Sequence, residues 1–325
     1  MGDERGFTRM EDVTTHGGSL KNLLDQSYKL FAAGAFRESE QFLEEALSID
    51  FDDRDVLSSL KCSNFWASRS TRAASIEDPL EKGEYLLKEW RVFDSFSRGF
   101  LDQNDQGLLS LKQWVFGSAL ASYKSIQRDN DEMDREILFR LGRCYKALGD
   151  YENGLALLEM SNNRKREDPE ILAELADAYA LVNEIKAAKI FFREAFFIDP
   201  QRVELLFLES EMIRRLVDRL REKFQDEAEL KEWVPVYGII YGILNVKREL
   251  KPLEYGKLRQ SIYSLENDVQ SGHSNREDRT IPRLLNRYFW LVDHYLINNE
   301  PRAKVEEILE KIKILNNSVY EQYIQ

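Results

Sequence analysis

The sequence predicts an all-α protein, an extended solenoid of antiparallel helical hairpins with a divergent C-terminal half. Three observations lead there. Apolar residues recur at helical spacing through most of the 325 residues, while strand-like alternation and hairpin-turn dipeptides are hard to find. Gly numbers only 16 and Pro only 7, too few for a loop-rich sandwich, a collagen-like chain or a long disordered tract. A set of residue types also returns at a constant offset of 34. Connections between the expected helices are short, which makes neighbours antiparallel hairpins.

Residues 1–19 mix Asp3, Glu4, Arg5, Arg9, Glu11 and Asp12 without an apolar run. This argues against a signal or transit peptide and predicts a mobile tail. Helices are expected at 20–33, 36–49 and 53–68, then a longer loop at Ser68–Asp78, then helices at 79–100 and 109–127. Two further hairpins follow, 134–148 with 151–161 and 169–182 with 185–197. The C-terminal half continues with helices at 202–224, 227–247, 252–270, 281–298 and 301–322, with a second longer loop at Gln270–Thr280. The expected organisation is a tail (1–19), a repeat array with insertions (20–200) and a divergent helical half continuing the solenoid (201–325).

The repetition is clearest in the two middle hairpins. Leu138 matches Leu172, Leu141 matches Leu175, Gly142 matches Ala176 and Tyr145 matches Tyr179. In the second helices Gly154 matches Ala188 and Leu158 matches Phe192, with Gly149 and Asn183 at the turns. Small residues belong where the two helices of a hairpin cross, and Gly or Asn suits the left-handed turn that ends a helix. Pro169 and Pro200 are expected to stop the second helices. A degenerate third copy carries Leu23, Ser27, Leu30, Gly34, Phe36, Ser39, Leu43 and Ala46 at the corresponding positions. These residues resemble the tetratricopeptide repeat (TPR) family over roughly a third of the chain.

That resemblance implies a concave groove lined by the first helix of each unit. The positions it assigns to the groove are Lys21, Leu24, Tyr28 and Phe31, then Glu136, Phe139, Arg143 and Lys146, then Glu170, Ala173, Asp177 and Ala180. The paired Lys and Asn residues with which co-chaperones of the family clamp a peptide carboxylate are missing. An aromatic residue beside Arg143 and Lys146 suits a helix or extended peptide with an apolar anchor and an acidic neighbour. The alternative is that Phe139 and Tyr28 simply pack on adjacent units.

Other chemistry is thin. The net charge of −12 speaks against nucleic acid as a main partner. Cys62 and Cys144 lie far apart and have neither metal nor redox spacing. No nucleophile elbow, zinc-protease, phosphate-loop or dinucleotide motif occurs, and His294 beside Asp293 reads as a half-buried structural histidine. No catalytic residue, cofactor or metal is expected. The segment Asp102–Gln113 is similar to an EF-hand loop, with Asp102, Asn104, Gln106, Gly107, Leu109 and Ser110 in register, but Gln113 replaces the bidentate Glu. A helix–turn–helix joint is the preferred reading. The 14-residue apolar run Trp233–Val246 is shorter than the roughly 20 a membrane-spanning helix needs. It reads as a buried core helix with Pro235 in its first turn and with Gly238 and Gly242 as a small-residue pair. Arg214, Arg215, Arg219, Arg221 and Lys223 form a basic helix face.

The function expected is therefore a non-enzymatic scaffold or adaptor in the cytoplasm, binding a protein segment in the groove. A structural subunit of a larger assembly ranks second; a looser similarity to spirochaete repeat proteins that build parts of the flagellar motor points the same way. An enzyme ranks third.

Overall fold

The computed structural model describes residues 7–101, 106–127, 134–164, 167–271 and 277–325. Among them are fifteen α-helices, two short 3-10 turns and no strand. The chain divides into two compact units, Met1–Asp150 and Tyr151–Gln325. The division falls inside the stretch 20–200 expected as one array.

Unit 1 holds α1 (Phe7–Ala33), α2 (Phe36–Ile49), α3 (Arg54–Ser75), α4 (Pro79–Ser97), α5 (Gln106–Gln127) and α6 (Arg135–Ala147). Helix α1 opens at Phe7, so most of the stretch expected as a tail is helical. The sequence holds no proline before Pro79 to stop it. The loop expected at Ser68–Asp78 is also largely helix. Two extra turns of α3 are pinned to α4, because Arg69, lying over the Phe65 ring of its own helix at 3.6 Å, pairs with Glu89 of α4 at 2.7 Å. Arg72 sits over Tyr85 at 5.2 Å, and Ala73 is buried.

Part of the chain's acidity serves as helix caps. Asp53 accepts the Asp55 and Val56 N–H groups at 2.9 Å, Asp78 accepts Glu81 N–H at 2.7 Å, and Asp134 accepts Glu136 N–H at 3.1 Å. In unit 2 Asp168 and Asp226 do the same for Glu170 and Glu229. Each satisfies an N–H that the first turn leaves without a helical acceptor. Pro169 is the first residue of α8, so it opens that helix after the Asp168 cap as well as barring continuation of the one before.

The core of unit 1 is aromatic. Trp66 of α3 is fully buried and meets Phe36 of α2, Trp90 and Phe93 of α4 and Trp114 of α5, with ring centroids 5.4–6.5 Å apart. Helix α5 packs on α1, α4 and α6. Trp114 closes on the α1–α2 turn, where a Cβ on Gly34 would lie 2.2 Å from its Nε1. Three residues expected at hairpin turns, Gly34, Gly149 and Asn183, have φ of 76°, 85° and 65°.

Unit 2 holds α7 (Tyr151–Arg164), α8 (Pro169–Leu181), α9 (Ile185–Ile198), α10 (Glu211–Arg221), α11 (Glu227–Ile240), α12 (Pro252–Gln270), α13 (Glu277–Ile297), α14 (Arg302–Leu315) and α15 (Asn317–Tyr323). Neighbours pair as hairpins, α8 with α9, α10 with α11, α12 with α13 and α13 with α14. Tyr179 of α8 links two neighbouring helices. It stacks on Phe191 of α9 at 5.4 Å and donates its hydroxyl to Glu159 of α7. Burial, then the Glu159 carboxylate, raises its pKa to about 12.

Helix α11 faces two cores. Val234 joins Phe192, Phe196, Ile213 and Leu216, while Trp233 and Val236 join Phe289, Trp290 and Ile312. A helix buried on both sides must be apolar all round, which accounts for the long apolar run. Pro235 lies inside α11 and not in its first turn. The helix then ends at Ile240, short of the expected 247, because Gly242 turns the chain at φ 71°. Gly238 lets that turn close: a Cβ there would lie 2.6 Å from Leu244.

The helix expected at 202–224 is broken at its start. Val203, Leu205 and Phe207 are buried at a spacing of two, which a helix cannot bury on one side. The chain forms two 3-10 turns, Pro200–Arg202 and Leu205–Phe207, with Val203 between them, and α10 begins only at Glu211.

Candidate protein-interaction surfaces

Most of the residues expected to line a groove are packing residues. Leu24, Tyr28 and Phe31 are buried on α1, the helix that α5 covers, and Tyr28 lies 6.1 Å from Phe31. Phe139 is buried with the Arg143 guanidinium over its ring at 4.6 Å, and Arg143 and Lys146 are themselves 3% and 0% exposed. Ala173 belongs to the core around Val203 and Leu205. Asp177 is wholly buried and accepts the backbone N–H groups of Glu209 and Ser210 at 2.7 and 2.8 Å. Only Lys21 and Glu136 of the twelve positions are exposed, and Glu136 pairs with Arg140 at 3.2 Å. Glu170 and Ala180 are half-buried. The expected groove positions thus fail to assemble an open site. The resemblance assigned these positions to an open groove, whereas most of them are buried within the fold.

The EF-hand-like segment does not wrap an ion over its second half. Asp102 and Asn104 lie outside the described residues, but Gln106 through Gln113 run along the first turns of α5. Helical side chains at those positions point to different sides and do not converge. No cluster of three or more His, Cys, Asp or Glu suited to a metal occurs among the described residues. His294 stacks on Tyr255 at 4.3 Å, in keeping with a structural role.

Among the described residues, two surfaces bring exposed or half-buried aromatic and basic side chains together. The first, in unit 1, is an aromatic strip on α3 and α4. Phe96, 45% exposed, stacks on Phe65 at 5.1 Å and meets Phe100 at 5.2 Å, with Val92 exposed one turn before it and Lys61 over the Phe100 ring at 4.8 Å.

The second, in unit 2, joins two features that the sequence shows only separately. The basic face of α10 lies against the tyrosine end of α11. Arg219 sits 4.2 Å from the Tyr241 ring centroid. Lys223 lies 4.5 Å from the Tyr237 centroid and 5.9 Å from that of Tyr241, and donates to the Tyr241 hydroxyl at 3.2 Å. Lys189 of α9 reaches the adjacent turn, donating to Gly242 O at 2.9 Å and Asn245 Oδ1 at 3.2 Å. Burial raises the Tyr237 pKa even though Lys223 pulls it down. Arg219 and Lys223 were visible in the sequence as part of a basic run. Tyr241 and Lys189 were not, because nothing local links either to α10.

Elsewhere the ionic contacts are structural. Glu232, fully buried, takes two bonds from Arg283 at 2.6 and 2.8 Å and one from Gln201 at 2.7 Å. Buried Arg193 pairs with Asp293 and also donates to Val246 O. In unit 1, Glu84 accepts from Tyr123 at 2.8 Å and Arg140 at 2.6 Å. Burial works to raise the Glu84 pKa, but Arg140 and Tyr123 outweigh it and hold the carboxyl below its usual range.

Residues 136–160, which cover α6 and most of α7, match the family model for the tetratricopeptide repeat. No curated protein matches the chain. No helix among the described residues is long and apolar enough to cross a membrane.

Proposed function

We propose that this TPR-like helical-repeat chain is a non-enzymatic scaffold or adaptor that binds a partner protein. The observation that carries the reading is the tetratricopeptide match at 136–160, since repeats of this kind generally mediate protein–protein binding. The Gly149 turn between the matched helices has the left-handed backbone that the repeat requires. Hairpins that bury their apolar faces against one another leave extended helical surfaces as the means of recognition. Since the expected groove positions are mostly buried, the partner is placed on exposed helical surfaces instead.

Affinity capture of the tagged full chain followed by mass spectrometry tests the reading. Reproducible enrichment of one or a few proteins over a tag-only control, confirmed with purified components, is the expected result. A stoichiometric set that cannot be separated from the chain would instead favour a permanent structural subunit. Absence of any enriched protein would refute the scaffold, and turnover in a hydrolase screen would then favour an enzyme.

A further inference from the structure

Unit 2 carries an uneven distribution of charge on α10. Arg215 and Arg221 each have a carboxylate on the same helix, Glu211 for the first and Asp218, at 3.1 Å, for the second. Arg219 and Lys223 are also exposed and lie one turn apart, yet neither has a carboxylate partner among the described residues. Both cationic groups are held within 6 Å of one ring centroid, that of Tyr241. Lys189 adds a third cation at the same turn, and its two acceptors are uncharged. Like charges gathered in this way repel, and the C-terminal ends of α10 and α11 offset them in part.

From this geometry we infer that the α10–α11 surface around Arg219, Lys223 and Tyr241 docks an acidic segment of a partner protein. The inference rests on the scaffold reading above and names the surface and the chemistry of its occupant. A ring takes none of the guanidinium's N–H donors, so Arg219 keeps them for a carboxylate while Tyr241 restricts its motion. Lys223 spends one donor on the Tyr241 hydroxyl and retains the others. Two or three cations match the side chains of a short acidic segment. They are too few for a nucleic-acid backbone, whose binding typically engages about six to ten phosphates. The chain's net charge of −12 also opposes approach to any extended anionic polymer or lipid surface, while a short segment steered to one local patch is affected less.

The test uses the full chain and a short fluorescein-labelled poly-glutamate peptide, followed by anisotropy. Saturable binding that weakens as salt rises is expected. Arg219→Glu combined with Lys223→Glu should weaken it by roughly tenfold or more, the effect of losing two exposed charge pairs and adding repulsion. Arg302→Glu, a charge reversal at another exposed arginine of unit 2, should leave it unchanged. Tyr241→Phe should bind nearly as wild type because the ring face remains, whereas Tyr241→Ala should not. Thermal melts run beside each variant separate a lost contact from a loosened fold. The inference is overturned if wild type ignores the peptide or if the folded double variant binds it equally. Tighter binding to a single-stranded oligonucleotide or to phosphatidylserine vesicles would overturn it too. Affinity capture separates the two levels. If the double variant captures the same partners at the same yield, this surface is wrong and the scaffold stands. If wild type captures nothing, the scaffold itself falls.

Discussion

Asp177 distinguishes a binding groove from a packed interior. The family pattern assigns it to the groove, yet its carboxylate is buried and accepts the N–H groups of Glu209 and Ser210 just ahead of α10. Asp177→Ala removes both acceptors. Ser210 is 3% exposed, so its N–H has no water to turn to and costs about 1–3 kcal/mol unsatisfied. Glu209 is half-buried and recovers part of its bond from solvent, for a loss nearer about 1 kcal/mol. The sum is about 3 kcal/mol. For a unit the size of Tyr151–Gln325 each kcal/mol moves Tm by roughly 2–4 °C, so a fall of roughly 6–12 °C is expected. Asp177→Asn keeps one acceptor but turns an amide donor toward the other N–H, and should fall between the two, losing about 1–2 kcal/mol. Circular dichroism melts, with the fluorescence of Trp233 and Trp290 as the report from unit 2, measure it. If Asp177→Ala melts within about 1 °C of wild type and weakens partner capture, Asp177 is a surface ligand and the argument fails.

Two further outcomes follow from the same reasoning. Gly34→Ala meets Trp114 and also strains a left-handed residue, so it should cost about 2–4 kcal/mol in urea unfolding. Gly149→Ala shares the backbone strain but meets nothing within 4 Å and should cost only about 1–2 kcal/mol; equal losses at the two sites would show that Trp114 does not close on the α1–α2 turn. Glu84 has a folded pKa below its ordinary 4.5, so its contribution is complete above that value and is lost as pH falls through the depressed one. Glu84→Gln should therefore lower stability at neutral pH and flatten the acid limb of the stability profile; an acid limb parallel to wild type would exclude Glu84 as its source.

The sequence alone determined the class of structure and its local punctuation. Helical periodicity, the near absence of Pro and Gly within segments and the offset of 34 made the hairpins legible. The turns at Gly34, Gly149 and Asn183 were legible because a left-handed residue is a local demand that only a few side chains meet. Ala176 and Ala188 are both fully buried. Periodicity marks which face of a helix is apolar, however, and is silent about what covers it. Trp114 lies eighty positions from Gly34, and no local signal tells that α5 returns to α1. Asp177 likewise looked like an exposed acid because its donors are backbone N–H groups, which every residue but proline carries. The tertiary structure decided these matters, and it also placed Tyr237 of α11 and Tyr241 just past its end beneath Arg219 and Lys223. Contacts between distant segments depend on how whole helices pack, and packing is settled by the fit of many side chains at once, not by the spacing of a few.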